Sequence, residues 1–147
     1  MGLSDHLPDL ERVIEPAGFA LQTASSTEQS SGGPFEQAVF ARDDRRLRLW
    51  LRRTSLSVGY SIGTASLDHA EYMRELLGPR GGNRFPAYAD DASRAFEAFV
   101  SDLVDLCDFF LRGDGAAVAG FAASAAATRE ASGFDRLRAV ERRLRPG

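Results

Sequence analysis

The chain has 147 residues, a formal net charge of −3 and a single cysteine, Cys107. A length of this order is typical of one domain that is stable without a metal or a disulfide. The negative net charge argues against bulk binding to nucleic acid, and one cysteine excludes an intramolecular disulfide framework. All 18 basic residues are arginines, which we interpret as the codon bias of a GC-rich, bacterial-type genome.

We expect residues 1–147 to form one globular domain. The chain opens with a predicted amphipathic helix over residues 4–15, in which Leu7, Leu10 and Ile14 recur at helical spacing. A weakly alternating stretch over residues 19–24 predicts a first strand. A polar loop then leads to the central part of the chain.

Residues 35–63 carry the strongest pattern in the sequence, an alternation of apolar and polar residues over three runs. Such alternation places every second side chain on the same face of a strand. With two-residue loops at Asp43-Asp44 and Arg53-Thr54, the large aliphatic side chains of three antiparallel strands share one face. The facing pairs are Phe40–Leu47, Ala38–Leu49, Leu51–Leu56, Leu49–Val58 and Leu47–Tyr60. A slip by one residue would scramble this arrangement, so the pattern predicts its own register.

The opposite face of this sheet is the candidate binding surface. It carries three arginines and the only tryptophan of the chain, beside the small residues Ser57 and Gly59, which leave a shallow recess. These four candidate residues are Arg46, Arg48, Trp50 and Arg52. In an alternative reading, the arginine stems lie over a solvated sheet face while a helix covers the tryptophan.

A glycine-rich loop supplies two further candidates, Arg80 and Arg84. Its free backbone N–H groups could cradle an anion. The loop lacks the lysine and the serine or threonine of a nucleotide-binding P-loop.

Three or four helices follow the sheet in the prediction. Ser66 is predicted to cap a helix that runs through Leu77. The longest helix, over about residues 91–112, has an apolar stripe with helical spacing and is expected to pack on the aliphatic face of the sheet. An alanine-rich helix over residues 115–131 and an arginine-rich helix over residues 132–147, prone to fraying, complete the chain. The sequence thus predicts an α+β fold: an N-terminal helix, an antiparallel meander of three to four strands, and then three or four helices.

No catalytic motif has the context that it needs. Gly59 to Gly63 spell the G-x-S-x-G string of hydrolases, but Ser61 falls in an ordinary predicted strand, and a nucleophile elbow requires a strained strand-to-helix turn. The two histidines, His6 and His69, form no metal-ligand pair. We expect His69 to lie on the surface, with a general-base role left open.

Acidic residues recur every three positions on the long helix. Asp102, Asp105 and Asp108 are expected to form the solvated side of an amphipathic helix, because calcium sites usually take ligands from loops. Cys107 falls on the apolar stripe and is predicted to be an unreactive core residue. We therefore predict no catalytic residue, no metal and no cofactor.

The leading functional hypothesis is a non-enzymatic binding module that engages a protein partner or an anionic ligand through the arginine and tryptophan face. Acidic segments (residues 1–34 and 90–114) and basic segments (35–63 and 129–147) alternate along the chain, which favours a protein partner or self-association over nucleic acid. No apolar run of signal-peptide or membrane-spanning length occurs, so we expect a cytoplasmic protein. Many bacterial adaptor and immunity-type proteins share this general description.

Two alternatives stay open at this stage. The first is a small-ligand-binding protein or an enzyme with a pocket between the sheet and the long helix, near Tyr60 and His69. The second is nucleic-acid binding through the arginine-rich segment 129–147, which is disfavoured by its interspersed acidic residues.

Overall fold

The computed structural model describes five stretches of the chain. These are residues 3–27, 35–53, 55–78, 82–85 and 92–128. Within them the protein is a five-stranded antiparallel sheet with helices packed against one face, which confirms the predicted α+β class. The predicted helix over residues 132–147 lies outside the described residues.

The sheet is a meander in which each strand pairs with the next one along the chain. Its strands are β1 (Ala20–Thr27), β2 (Phe35–Arg42), β3 (Arg45–Arg52), β4 (Ser55–Ile62) and β5 (Ala65–Asp68). The predicted facing pairs, including Leu47 with Tyr60 and Leu49 with Val58, are all present. Alternation of side chains therefore determined the register correctly, since it keeps the aliphatic residues on the buried face.

Tight turns join the central strands. Asp43, in the turn between β2 and β3, has a φ of 51°, and Arg53, between β3 and β4, has a φ of 56°. Two-residue hairpin turns require such left-handed backbone conformations. Aspartate tolerates this region better than most residues, whereas arginine adopts it at some cost.

The helices differ from the prediction in two places. They are α1 (Leu7–Ile14, flanked by the short 3-10 turns Leu3–Asp5 and Glu15–Ala17), α2 (His69–Leu77), α3 (Ala92–Leu106), α4 (Asp108–Arg112) and α5 (residues 115–128). The long predicted helix is interrupted at Cys107, which separates α3 from α4. The predicted cap at Ser66 is wrong, because that residue belongs to β5 and Asp68 caps α2 through a reciprocal capping box with Glu71.

The core lies between the inner face of the sheet and the helices. Apolar side chains of α1, α3 and α4 pack there on the aliphatic residues of β2, β3 and β4. The most deeply buried large residues include Phe40, Leu47, Leu49, Phe99 and Leu103. Burial of each such side chain contributes about 1.5–3 kcal/mol relative to its exposure. The long helix α3 thus covers the sheet face that the sequence predicted.

Two arginines at the turn between β2 and β3 bind the C-terminal end of α4. The Arg45 guanidinium is buried; its Nη1 donates to the Phe110 carbonyl at 2.8 Å, and its Nη2 donates to the Gly113 carbonyl. The Arg42 Nη1 donates to the Leu111 carbonyl. These bonds satisfy carbonyl groups that have no partner within a helix at its C-terminal end.

The alanine-rich helix α5 packs beside α2 and α4. Val118, Ala122 and Ala125 are buried, and the Phe121 ring contacts the rings of Tyr72 and Phe109. Small side chains permit this close approach. None of the described helices combines the length and the apolar character needed to cross a membrane.

Candidate functional site

The three arginines and Trp50 lie together on the sheet face that points away from the helices. Arg46, Arg48 and Arg52 are exposed, and Trp50 is half-buried. The Arg48 guanidinium lies over the indole of Trp50, with 4.5 Å between its central carbon and the ring centroid. We name this surface, defined by these four residues, the arginine–tryptophan face.

Small residues beneath and beside Trp50 form the predicted recess. In the register of the sheet, Trp50 lies between Gln37 on β2 and Ser57 on β4. A methyl group added at Gly59 would lie 3.6 Å from the indole, so the ring rests close above that glycine. An alanine at position 59 would therefore meet the ring at an ordinary van der Waals distance.

The recess next to Trp50 has a volume of about 380 Å³, which is within the range of small-ligand sites. Its lining residues are Phe35, Trp50, Arg52, Ser55 and Ser57. The Arg52 guanidinium lies 5.7 Å from the centroid of the Phe35 ring. The recess therefore offers two aromatic surfaces, a guanidinium and two hydroxyl groups, which suits a ligand that is partly apolar and partly anionic.

The structure separates one of the two arginines of the glycine-rich loop from this surface. Arg80 lies outside the described residues. The Arg84 backbone N–H donates to Asp102 on α3 at 2.6 Å, which places Arg84 on the helical side of the sheet. Arg84 is thus separated from the arginine–tryptophan face.

A buried polar network lies on that helical side and joins β4, α2, α3 and residues 82–85. The Tyr60 hydroxyl on β4 is 2.7 Å from the His69 Nδ1, and the His69 Nε2 is 3.0 Å from the Asp102 Oδ2. The Phe85 N–H also donates to the Asp102 Oδ2, at 2.7 Å. The Cys107 sulfur lies 3.5 Å from the Tyr60 hydroxyl. His69 and Asp102 are at most 3% exposed, so the expectation that both lie at the surface is wrong.

One arrangement of protons satisfies this network. An ionised Asp102 accepts hydrogen bonds from the N–H groups of His69, Arg84 and Phe85, and the Nδ1 of a neutral His69 accepts a hydrogen bond from the Tyr60 hydroxyl. Burial lowers the pKa of His69 from its ordinary value of 6.5, and the neighbouring Asp102 opposes that shift. We infer this tautomer from the partners of the ring.

Burial holds two members of the network in their protonated forms. Burial raises the pKa of the Cys107 thiol to about 12 and places the pKa of the Tyr60 hydroxyl well above its usual range, so both groups are protonated at neutral pH. The space beside Tyr60 measures about 10 Å³, which is at the lower limit for a single water molecule. Its lining residues lie on β4, β5, α2, α4 and α5.

No protein-family model, curated protein or solved structure matches the chain.

The remaining sequence motifs fall in regular structure. Ser61 pairs with Arg46 and Ser66 inside the sheet, so it is not at the strained turn of a nucleophile elbow. Asp105 and Asp108 are exposed, as predicted, and Asp108 pairs with Arg112. In the described part of the chain, no group of three or more histidine, cysteine, aspartate or glutamate residues is placed to hold a metal ion.

His69 makes stability depend on pH in a defined direction. Because its pKa is lowered by folding, the unfolded chain binds the proton more tightly than the folded protein does. We therefore expect the stabilisation by the neutral ring to be fully present above the unfolded pKa of about 6.5. As the pH falls below this value, the free energy of unfolding should decline by up to about 1.4 kcal/mol per pH unit.

Urea unfolding between neutral pH and about pH 5 measures this decline. The matched variant His69→Gln should show a shallower pH dependence, although it is less stable throughout. NMR titration of the His69 ring gives the folded-state pKa directly. A value above that of an unfolded peptide would contradict the prediction.

Proposed function

We propose that the protein is a non-enzymatic binding module that engages an acidic protein segment through the arginine–tryptophan face. The observation that carries the proposal is the stacking of Arg48 on Trp50 beside an aromatic recess of about 380 Å³. Tryptophan and arginine are the residue types that most often dominate binding energy at protein interfaces.

The stacking prepares these side chains for binding. A cation over an aromatic face is stabilised by about 0.5–1 kcal/mol at an exposed site, and it restricts both side chains before a partner arrives. Less conformational entropy is then lost on association. A partner carboxylate can accept two N–H bonds from a guanidinium, while an apolar partner side chain enters the recess.

The distribution of charge supports an acidic partner. Three arginines project from the arginine–tryptophan face, and their neighbours on β4 are Ser55, Ser57, Gly59 and Ser61, which carry no charge. Complementary charge accelerates association and selects the partner. A second copy of the chain, through its acidic α1 and α3 surfaces, is one source of such a segment.

We further propose that this module works in the reducing cytoplasm of a bacterium. The single cysteine is a buried free thiol, and disulfides are rare in that compartment. The arginine-only basic composition accords with a GC-rich genome.

The fluorescence of Trp50, the sole tryptophan, tests the proposal directly. The probe is a capped hexapeptide of alternating glutamate and phenylalanine, whose period of two matches the spacing on a strand. We expect it to change the emission of Trp50 with a dissociation constant of about 100 μM and to bind more weakly at higher salt. Arg48→Ala or Arg52→Ala should weaken binding about fivefold or more.

Two controls decide whether the face is responsible. Arg12→Ala removes the same charge from α1 and should leave the dissociation constant unchanged, and a glutamine–phenylalanine peptide should bind poorly. Equal weakening by Arg12→Ala and Arg48→Ala would refute a defined site. Trp50→Ala removes the fluorescent reporter, so its binding is measured by isothermal titration calorimetry, and we expect binding to be abolished with little change in melting temperature. A loss of more than about 3 kcal/mol in the free energy of unfolding would make Trp50 a core residue.

A further inference from the structure

One edge of the sheet is formed by β1. In the part of the chain that the structure describes, β1 pairs with β2 alone, so the backbone groups on its other side have no strand beside them. Residues 20–25 are all exposed, whereas buried residues recur at every second position of β3 and β4. Leu21 is 43% exposed although it lies opposite the buried Phe40. The helices therefore leave both faces of β1 accessible, together with its free edge.

β1 has few of the features that usually protect an edge strand. Edge strands are commonly short, or they carry charged residues or proline, which prevents pairing with another chain. β1 has eight residues without a charge or a proline, in a chain of which 27% is charged. The strand at the opposite edge, β5, has four residues and ends at Asp68. A bulge between Leu21 and Thr23 interrupts the start of β1, but residues 23–27 keep a regular register. These five residues are a template for another strand.

The regular part of β1 is complementary to itself in the antiparallel direction. Residues 23–27 read Thr-Ala-Ser-Ser-Thr. A two-fold axis at Ser25 places Thr23 of one copy opposite residue 27 of the other, which is also a threonine, and Ala24 opposite residue 26, a serine. Opposite positions then belong to the same face of the sheet, because side chains alternate along a strand. They also match in size and carry no charge, so the pattern favours a second copy of the chain over an unrelated strand.

We propose that two copies of the chain pair antiparallel through β1, so that their two five-stranded sheets join into one continuous sheet. The same residues of both copies form this contact, as in the two-fold dimers that are the commonest homo-oligomers. The axis is perpendicular to the sheet, and it therefore places both arginine–tryptophan faces on the same side. Two such faces can engage two segments of one partner, which strengthens binding without any new contact.

Sedimentation velocity at protein concentrations from about 1 μM to 1 mM tests the pairing. We expect a monomer–dimer equilibrium with a dissociation constant of about 50 μM. Amide hydrogen exchange of residues 23–27 should become slower as the dimer forms, because N–H groups along the free edge gain acceptors. A monomer throughout this range would overturn the proposal and leave the edge to the strand of a different protein. A dimer that leaves amide exchange in β1 unchanged would also overturn it.

Charge variants at Ser25 test the register of the pairing, because Ser25 is exposed and faces its own counterpart across the axis. Ser25→Lys and Ser25→Asp, each alone, should weaken dimerisation about fivefold or more, since like charges directly opposite each other are destabilising. An equal mixture of the two variants should dimerise about as tightly as the unaltered protein, because opposite charges then face each other.

Ala119→Lys is the matched control, because it adds the same charge at an exposed position of α5. It should leave the dissociation constant of the dimer unchanged. The melting temperature of each variant, measured at a concentration where the protein is monomeric, should match that of the unaltered protein. Equal weakening by Ser25→Lys and Ala119→Lys, or a mixture of the Ser25 variants that does not dimerise, would overturn the proposed pairing.

Discussion

Replacement of Asp102 by asparagine is expected to lower the free energy of unfolding by about 3 kcal/mol. The Asp102 carboxylate is 2% exposed and accepts three hydrogen bonds, from the His69 ring and from the backbone N–H groups of Arg84 and Phe85. An asparagine presents one oxygen and one NH₂ group. Whichever way the amide is turned, its NH₂ group faces at least one backbone N–H.

A change of tautomer cannot repair the defect. His69 could accept a bond from the new amide through Nε2 and donate from Nδ1 to the Tyr60 hydroxyl. The amide nitrogen would then still oppose the Phe85 N–H, which shares the Oδ2 position with the histidine. A buried donor that loses its acceptor costs about 1–3 kcal/mol, and the loop at Phe85 would lose its anchor to α3.

Asp105→Asn is the matched control, because Asp105 is exposed on the same helix one turn away. Its effect should stay within about 0.5 kcal/mol. Urea unfolding of both variants at neutral pH gives the two free energies. If Asp102→Asn unfolds at the same urea concentration as Asp105→Asn, the network contributes little to stability.

Much of the sheet could be predicted because the alternation of apolar and polar residues is repeated in three neighbouring strands. Three strands with alternating residues constrain one another, and only one register keeps Leu47, Leu49 and Leu51 buried together. The same alternation placed Arg46, Arg48, Trp50 and Arg52 on the opposite face. Position on a face follows from geometry; the binding role of the arginine–tryptophan face is a separate, chemical prediction.

The buried network was missed because its members are distant in sequence and polar. Asp102 directly precedes Leu103 and lies three residues after Phe99, at the edge of the apolar stripe. Its spacing from Asp105 and Asp108 suggested a solvated flank instead. Only the packing of α2 and residues 82–85 against α3 brings partners to it, and no local pattern encodes that contact.

The sequence did contain a signal that could have prevented the error at Ser66. Asp68 and Glu71 have the spacing of a capping box, which marks the start of α2 and leaves residues 65–68 for β5. Leu67 fits the apolar stripe of a helix as well as the buried face of a strand. The helical spacing of Leu67 therefore led to a predicted start of α2 that is too early.

Arg45→Ala is expected to lower the free energy of unfolding by about 2–4 kcal/mol. Arg45 shares the inward face of β3 with Leu47, and it is 5% exposed. Its guanidinium binds the carbonyls of Phe110 and Gly113. Removal leaves both carbonyls without this partner and opens a cavity at the junction of β3 with the end of α4.

The neighbouring Arg46 provides a control of identical chemistry, because it is exposed on the opposite face. Arg46→Ala should change the free energy of unfolding by less than about 0.5 kcal/mol. Arg45→Met retains most of the buried aliphatic stem and removes the guanidinium N–H donors. The decrease in the free energy of unfolding of this variant therefore measures the hydrogen bonds separately from the packing. Comparable urea midpoints for Arg45→Ala and Arg46→Ala would show that the buried and the exposed face of β3 contribute equally to stability at these positions. Such a result would contradict the alternation of buried and exposed side chains on which the fold rests.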